Sequence, residues 1–219
     1  MMLKWDETTE RLYETGVDKC VLYPFDSDTK AYGTGVAWNG VTGITESPSG
    51  AEPTAIYADN IKYLVLTSAE DYGGTINAYM YPPEFAECDG SAELKPGVMI
   101  GQQKRKMFGL SYRTKIGNDT EFDDHGYKLH LVYGCLASVS ERSYNTINDS
   151  PEALEMSWEY SCTPVNVEGF RPTAIVTIDS TKVKPEKLAA LEKMLYGDES
   201  DGNPKLPLPS ELITMFTET

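Results

Sequence analysis

At 219 residues the chain is long enough for one sizeable domain or two small ones. Hydrophobic residues make up 40% and aromatics 11%, enough to pack a core, which excludes wholesale disorder. Thirty-four acids against nineteen bases give a formal net charge of −15, which excludes a reader of phosphate backbones, since such proteins neutralise phosphates with Lys and Arg.

The N-terminus mixes Trp5, Leu12 and Tyr13 with acids as far as Gly16. It has no apolar core of the signal-peptide kind, and no apolar run in the chain approaches the roughly 20 residues that cross a bilayer. A protein made in the cytosol, with no membrane span, is the expectation. Val17 to Pro24 reads as a short strand closed by the polar loop Asp26-Ser27-Asp28-Thr29-Lys30. Val36 to Ile44 reads as a strand thinned or bulged by Gly40 and Gly43.

The polar run Glu46-Ser47-Pro48-Ser49-Gly50-Ala51-Glu52-Pro53 predicts a long solvated hairpin tip or loop. Thr54 to Ala58 resumes extended structure, Asp59-Asn60 is a turn candidate, and Ile61 to Thr67 is rich in β-branched and aromatic residues. After the break at Asp71-Tyr72-Gly73-Gly74, Ile76, Ala78 and Met80 alternate with Thr75, Asn77 and Tyr79 as in a half-buried strand. Pro82-Pro83 opens a short helix, Glu84 to Cys88, because proline is tolerated in a first helical turn. Residues 91–103 read as loop.

Lys106 to Thr114 and Tyr127 to Ala137 read as a strand pair, joined by an acidic connector over 117–124 that is longer than a tight hairpin. In the second strand Tyr127, Leu129, Leu131 and Tyr133 share one face, with Lys128 and His130 on the other. Residues 138–150 read as polar loop. Met156, Trp158, Tyr160 and Cys162 alternate with polar residues, as do Ala174, Val176 and Ile178. Pro185 opens the one long helix, Leu188, Leu191 and Leu195 mark its apolar face, and Gly197 stands at its C-cap.

The predicted architecture is mainly β: a single β-sandwich or barrel with one flanking α-helix and a long projecting hairpin or loop. Residues 1–197 form the domain, and 198–219 an extended C-terminal arm with a short helix over Glu211 to Phe216.

Catalytic and metal chemistry find little support. His125 and His130 are the only histidines; five positions apart, they fall on opposite faces of a strand, with His125 placed in the loop, and no further ligands stand near them. No nucleophile elbow is present, Asp123-Asp124 and Asp26 with Asp28 lack the spacing of a calcium loop, and Gly33-Thr34-Gly35 lacks the strand–turn–helix context of a dinucleotide site. No enzyme, cofactor or metal is implied. Cys20, Cys88, Cys135 and Cys162 are widely spaced and suit buried reduced thiols, without excluding a disulfide. The basic run Lys104-Arg105-Lys106 suits a charged edge strand, an anion site, or a contact with an acidic patch on a neighbouring subunit.

The order of motifs resembles the major tail (tail tube) proteins of long-tailed, non-contractile bacteriophages. The resemblance rests on the run from Glu46 to Pro53, then Tyr57-Ala58-Asp59-Asn60, Ile61-Lys62-Tyr63-Leu64, Tyr72-Gly73-Gly74-Thr75-Ile76 and Tyr81-Pro82-Pro83-Glu84-Phe85. Lys106-Met107-Phe108-Gly109-Leu110, Asn148-Asp149-Ser150-Pro151-Glu152 and the stretch from Thr181 to Gly197 extend it. It implies a tail-tube β-sandwich that assembles with itself as hexameric rings, stacked into a tube through which double-stranded DNA passes without specific binding. Tape measure, tail terminator and initiator proteins would be its other partners, and the virion tail its destination after assembly in the bacterial host cytoplasm. An acidic lumen would repel and centre DNA, with Glu46, Glu52, Asp59, Glu70 and Asp71 as candidates and Lys104, Arg105 and Lys106 as inter-subunit candidates. The alternative is a β-sandwich binding module that recognises carbohydrate or a cell-surface protein through acidic loops and its fourteen tyrosines.

Overall fold

The computed structural model describes residues 5–147, 153–198 and 202–217. The long strand β1 (Tyr13–Asp26) is followed by two short strands, β2 (Ala31–Tyr32) and β3 (Val36–Ala37), that fold back on it. β4 (Val41–Glu46), β5 (Ser49–Gly50) and β6 (Pro53–Ala58) run outward; β7 (Ile61–Thr67), β8 (Glu70–Asp71) and β9 (Gly73–Ala78) return. A 3-10 turn over Pro83–Glu87 leads to the small hairpin β10 (Ala92–Lys95) and β11 (Val98–Ile100). β12 (Phe108–Asn118), β13 (Phe122–Ala137), β14 (Met156–Cys162) and β15 (Ile175–Asp179) complete the strands, and α1 (Pro185–Tyr196) and α2 (Pro209–Thr217) follow.

The molecule is mainly β, in keeping with a β-sandwich. Its main sheet is antiparallel in the order β2-β1-β12-β13-β14-β9-β4. β13 serves two neighbours in turn: Lys128 to Val132 pair with β15, and Cys135 to Ala137 pair with β14. The change of partner falls at Gly134, whose φ of +62° favours glycine. A Cβ there would lie 2.3 Å from the Thr163 carbonyl oxygen.

Because successive strand side chains point to opposite faces, β1, β12 and β13 feed two separate cores. On one face Cys20, Leu22, Leu110, Tyr112, Val132 and Cys135 meet Ile76, Ala78, Met156, Trp158 and Tyr160, with Trp38 and Phe85 filling in. On the other, Val21, Tyr23, Leu129, Leu131 and Tyr133 lie under Leu188, Leu191 and Leu195 of α1. The leucine stripe and the Gly197 cap of the helix stand as read, with the Gly197 N–H donating to the Lys193 carbonyl at 2.9 Å.

Several expectations need correction. Val36 to Ile44 is two strands, parted by a turn at Gly40 with φ +81°. Residues 91–103 contain the β10–β11 hairpin instead of plain loop. β12 and β13 run on to Asn118 and Phe122, so the 117–124 connector is a tight turn: the Asn118 side-chain oxygen accepts the Thr120 amide, a local bond that substitutes for chain length. His125 lies within β13, not in a loop, and His130 is buried because the face opposite Leu129 is covered as well. Met80 lies beyond the end of β9 and is exposed.

The C-terminal segment is not an extended arm. Leu206 and Leu212 are buried in the second core, the Tyr133 hydroxyl donates to the Pro207 carbonyl at 2.8 Å, and the Lys205 N–H donates to the Met194 carbonyl. Its prolines shape a path over the helix face instead of away from it, because leucines placed between them have a core to enter. The motif Asn148 to Glu152 and residues 199–201 of the arm lie outside the described residues.

Candidate assembly surface

The outward and returning strands make one ribbon. β4 pairs with β9 inside the main sheet, β5 with β8 beyond it, and β6 with β7 at the far end. The chain reverses at Asp59-Asn60, whose φ values of +51° and +64° suit the two-residue turn that matches the twist of hairpin strands. The polar run 46–53 is therefore not the tip. It is the outgoing shaft, with Ser49 and Gly50 opposite Asp71 and Glu70. At about 3.3 Å per residue, the chain from Glu46 to the turn spans on the order of 40 Å.

The far end of this ribbon is apolar on both faces. Register places Ile56 opposite Leu64 and Thr54 opposite Leu66 on one face, and Ala55 opposite Val65 and Tyr57 opposite Lys62 on the other. The register slips at Tyr63. Every residue of β7 is exposed, Tyr63 at 66% and Leu66 at 55%, and across from it Tyr57 of β6 is exposed at 69%. An apolar ribbon with water on both sides and unpaired outer edges is the kind of surface that proteins ordinarily cover, blunt or use for contact. A sequence signal for it existed. Ile61-Lys62-Tyr63-Leu64-Val65-Leu66 is nearly continuous rather than alternating, the pattern of a strand covered on both faces.

The acid candidates are distributed along this ribbon. Glu46 stands at its root, Glu52, Glu70 and Asp71 on the shaft, and Asp59 at the turn; all are exposed. Glu46 is turned toward the core, where its Oε1 accepts the Tyr112 hydroxyl at 2.7 Å. The ribbon thus brings together Glu70 and Asp71, opposite Gly50 and Ser49, but not Glu46 and Asp59.

His130 lies beside that root. Its ring stacks on Tyr112 with centroids 4.7 Å apart; Nε2 lies 2.9 Å from the Thr114 hydroxyl and Nδ1 3.4 Å from that of Thr177. The Glu14 and Glu46 carboxylates stand 3.7 and 3.6 Å from its two nitrogens. Burial pushes the imidazole below its ordinary range, against the upward pull of Glu46 and Glu14. Burial pushes Glu14 upward, but hydrogen bonds from Lys128 and Thr114 outweigh it and hold that carboxyl below the usual range.

The basic run lies in the segment between β11 and β12, so it is not an edge strand. Lys106 Nζ pairs with Glu87 at 2.5 Å, and the Arg105 side chain packs beside Gly90. Lys104 is exposed. Internal pairing had no sequence signal, because Glu87 and Gly90 are distant in the chain and are folded back by the β10–β11 hairpin. A second apolar surface adjoins it. Leu94, Val98, Met99 and Met80 are exposed, and a cleft of about 620 Å³ runs between Tyr81, Pro83, Ala86 and Met99.

No family model matches the chain, and no curated protein matches it. Among the described residues no group of three or more His, Cys, Asp or Glu side chains could hold a metal ion. No described helix is long and apolar enough to cross a membrane.

Proposed function

We propose that this chain is a self-assembling tube subunit, similar to the major tail proteins of long-tailed, non-contractile phages, whose rings of six copies stack into an acidic conduit for DNA. The observation that carries the reading is the ribbon: apolar side chains on both faces of β6–β7, with β7 exposed throughout. One covered face would make a pair. A ribbon needing cover on both faces, with outer edges free for further strand pairing, suits insertion between neighbours in a closed or stacked array. Fully burying a Leu side chain contributes about 1.5–3 kcal/mol; Leu66, Tyr57 and Tyr63 keep about half or more of their surface exposed, so several such residues together can outweigh the cost of association. Duplex DNA carries about one charge per 1.7 Å of axis. A wall bearing Glu52, Glu70 and Asp71 would therefore hold DNA off rather than bind it.

The test is negative-stain microscopy and sedimentation across a concentration series, with Leu64→Asp/Leu66→Asp alongside. Rings or tubes that the double variant abolishes, while its monomer keeps the native circular dichroism, would support the reading. A chain that stays monomeric to millimolar concentration, with or without the substitutions, would overturn it. A second reading, an aromatic platform for sugar, has the exposure of Tyr57 and Tyr63 in its favour. In that case the particle stays small and glycan binding is lost on Tyr57→Ala/Tyr63→Ala.

A further inference from the structure

The geometry points to Cys135 and Cys162 as a latent cross-strand disulfide, open as two thiols in a reducing compartment and closed on oxidation. The two are direct partners in the β13–β14 ladder. The Thr163 N–H donates to the Gly134 carbonyl at 2.9 Å, and the Ser138 N–H donates to the Glu159 carbonyl at 2.8 Å. Those bonds flank the cysteine pair without joining it, which marks it as a non-hydrogen-bonded pair. That class brings Cα atoms to about 4.5 Å and its side chains closest, within the range a disulfide spans. The two sulfurs lie 3.5 Å apart, so a small side-chain rotation brings them to bonding distance. Cys20 and Cys88 are also buried thiols, but neither has a cysteine partner across a ladder.

The two thiols differ in the way a stepwise oxidation requires. Cys135 is fully buried, and burial pushes its thiol well above the ordinary range, which suppresses the thiolate. Cys162 is only partly buried and is the one hydrogen peroxide reaches. The Cys162 sulfur attacks one peroxide oxygen; the O–O bond breaks, and sulfenic acid and water form. The Cys135 sulfur then attacks the Cys162 sulfur and expels the hydroxyl, which leaves as a second water with the Cys135 proton. Two thiols are oxidised and one hydrogen peroxide is reduced.

The bond would staple the sheet where β13 changes partners, one residue from Gly134. It would also fix the strand whose Cys162 N–H donates to the Tyr72 carbonyl, just before β9. The proposal does not depend on what the ribbon contacts. With the two cysteines 27 positions apart, closing the loop should raise the unfolding midpoint by about 7–14 °C.

The experiment treats folded full-length protein with hydrogen peroxide, blocks the remaining thiols with an alkylating agent, and maps peptides without reduction. A Cys135–Cys162 linked peptide, an intact mass lower by two hydrogens before alkylation, and a midpoint that falls back on reduction are expected. Cys162→Ser should lose the link and the midpoint shift while keeping the reduced protein's midpoint. The peptide map of the unsubstituted protein decides the matter by itself should that variant fold poorly. Cys162 carried on to sulfinic acid with Cys135 free, a link to Cys20 or Cys88, or no thiol consumed at all would each overturn the proposal.

Discussion

The Tyr112 hydroxyl donates a 2.7 Å hydrogen bond to Glu46 Oε1, joining a buried ring of β12 to the last residue of β4, where the ribbon leaves the sheet. Tyr112 also stacks on His130, so the root of the ribbon, the imidazole and the first core form one connected unit. Tyr112→Phe removes the bond but leaves Glu46 able to meet water. A loss of about 1 kcal/mol is expected, with faster amide exchange at Thr45, Ser47 and Thr75 than at the distant Leu129. Equal protection at the root in both proteins would show that the bond does not anchor the ribbon.

The buried His130 imidazole makes stability depend on pH in a definite direction. Its proton affinity is lowered on folding, so the unfolded chain binds the proton more readily. The contribution is complete above the unfolded value of about 6.5 and is lost as pH falls through the folded value. Glu14 and Asp18, both held low in the fold, lose their contributions only in the more acidic range below ordinary carboxylate values. Between pH 7 and 5, stability should therefore fall by at most about 1.4 kcal/mol per pH unit from this one group. His130→Gln should flatten that segment of the denaturation profile, even if it lowers stability at pH 7. An unchanged slope would assign the pH dependence elsewhere.

The packing of the tail predicts what its removal does. Leu206 is 1% exposed and Leu212 5%, and truncation after Gly197 would uncover the faces of Leu131 and Tyr133. Two buried leucines contribute about 3–6 kcal/mol together, so the truncated chain should unfold or aggregate. Leu206→Ala gives a milder measure, with about 2–5 kcal/mol lost in urea denaturation. Cooperative unfolding of the truncated chain at the full-length midpoint would argue that the segment is only an accessory.

Gly134 is expected to be the least replaceable glycine in the sheet. Its φ of +62° disfavours other residues, and an added Cβ would meet the Thr163 carbonyl at 2.3 Å. Gly134→Ala should cost about 2 kcal/mol or more. Gly97, with φ +79° but open space around its Cβ position, should lose less on the same change. Comparing their chemical-denaturation midpoints separates backbone strain from steric contact.

Alternation and helical spacing were legible in the chain because each depends on a residue and its near neighbours. Met156, Trp158 and Tyr160 are buried as read, the α1 leucine stripe faces the core, and the predominance of strands follows from the β-branched and aromatic runs. Asp59-Asn60 was legible as a turn for the same local reason. The tertiary structure alone decided that this turn is the ribbon's end and that 46–53 belongs to a paired shaft, since strand pairing joins residues whose separation no local pattern encodes. It alone decided that Lys106 and Arg105 are partly taken up by contacts within the chain, and that His130 is buried between two acids. It also decided that Cys135 meets Cys162 and that the proline-rich tail enters the core. Each is a pairing that no pattern of neighbouring residues encodes; His130, Cys135 and the tail leucines hold theirs because burial stabilises the fold more than local propensity opposes it.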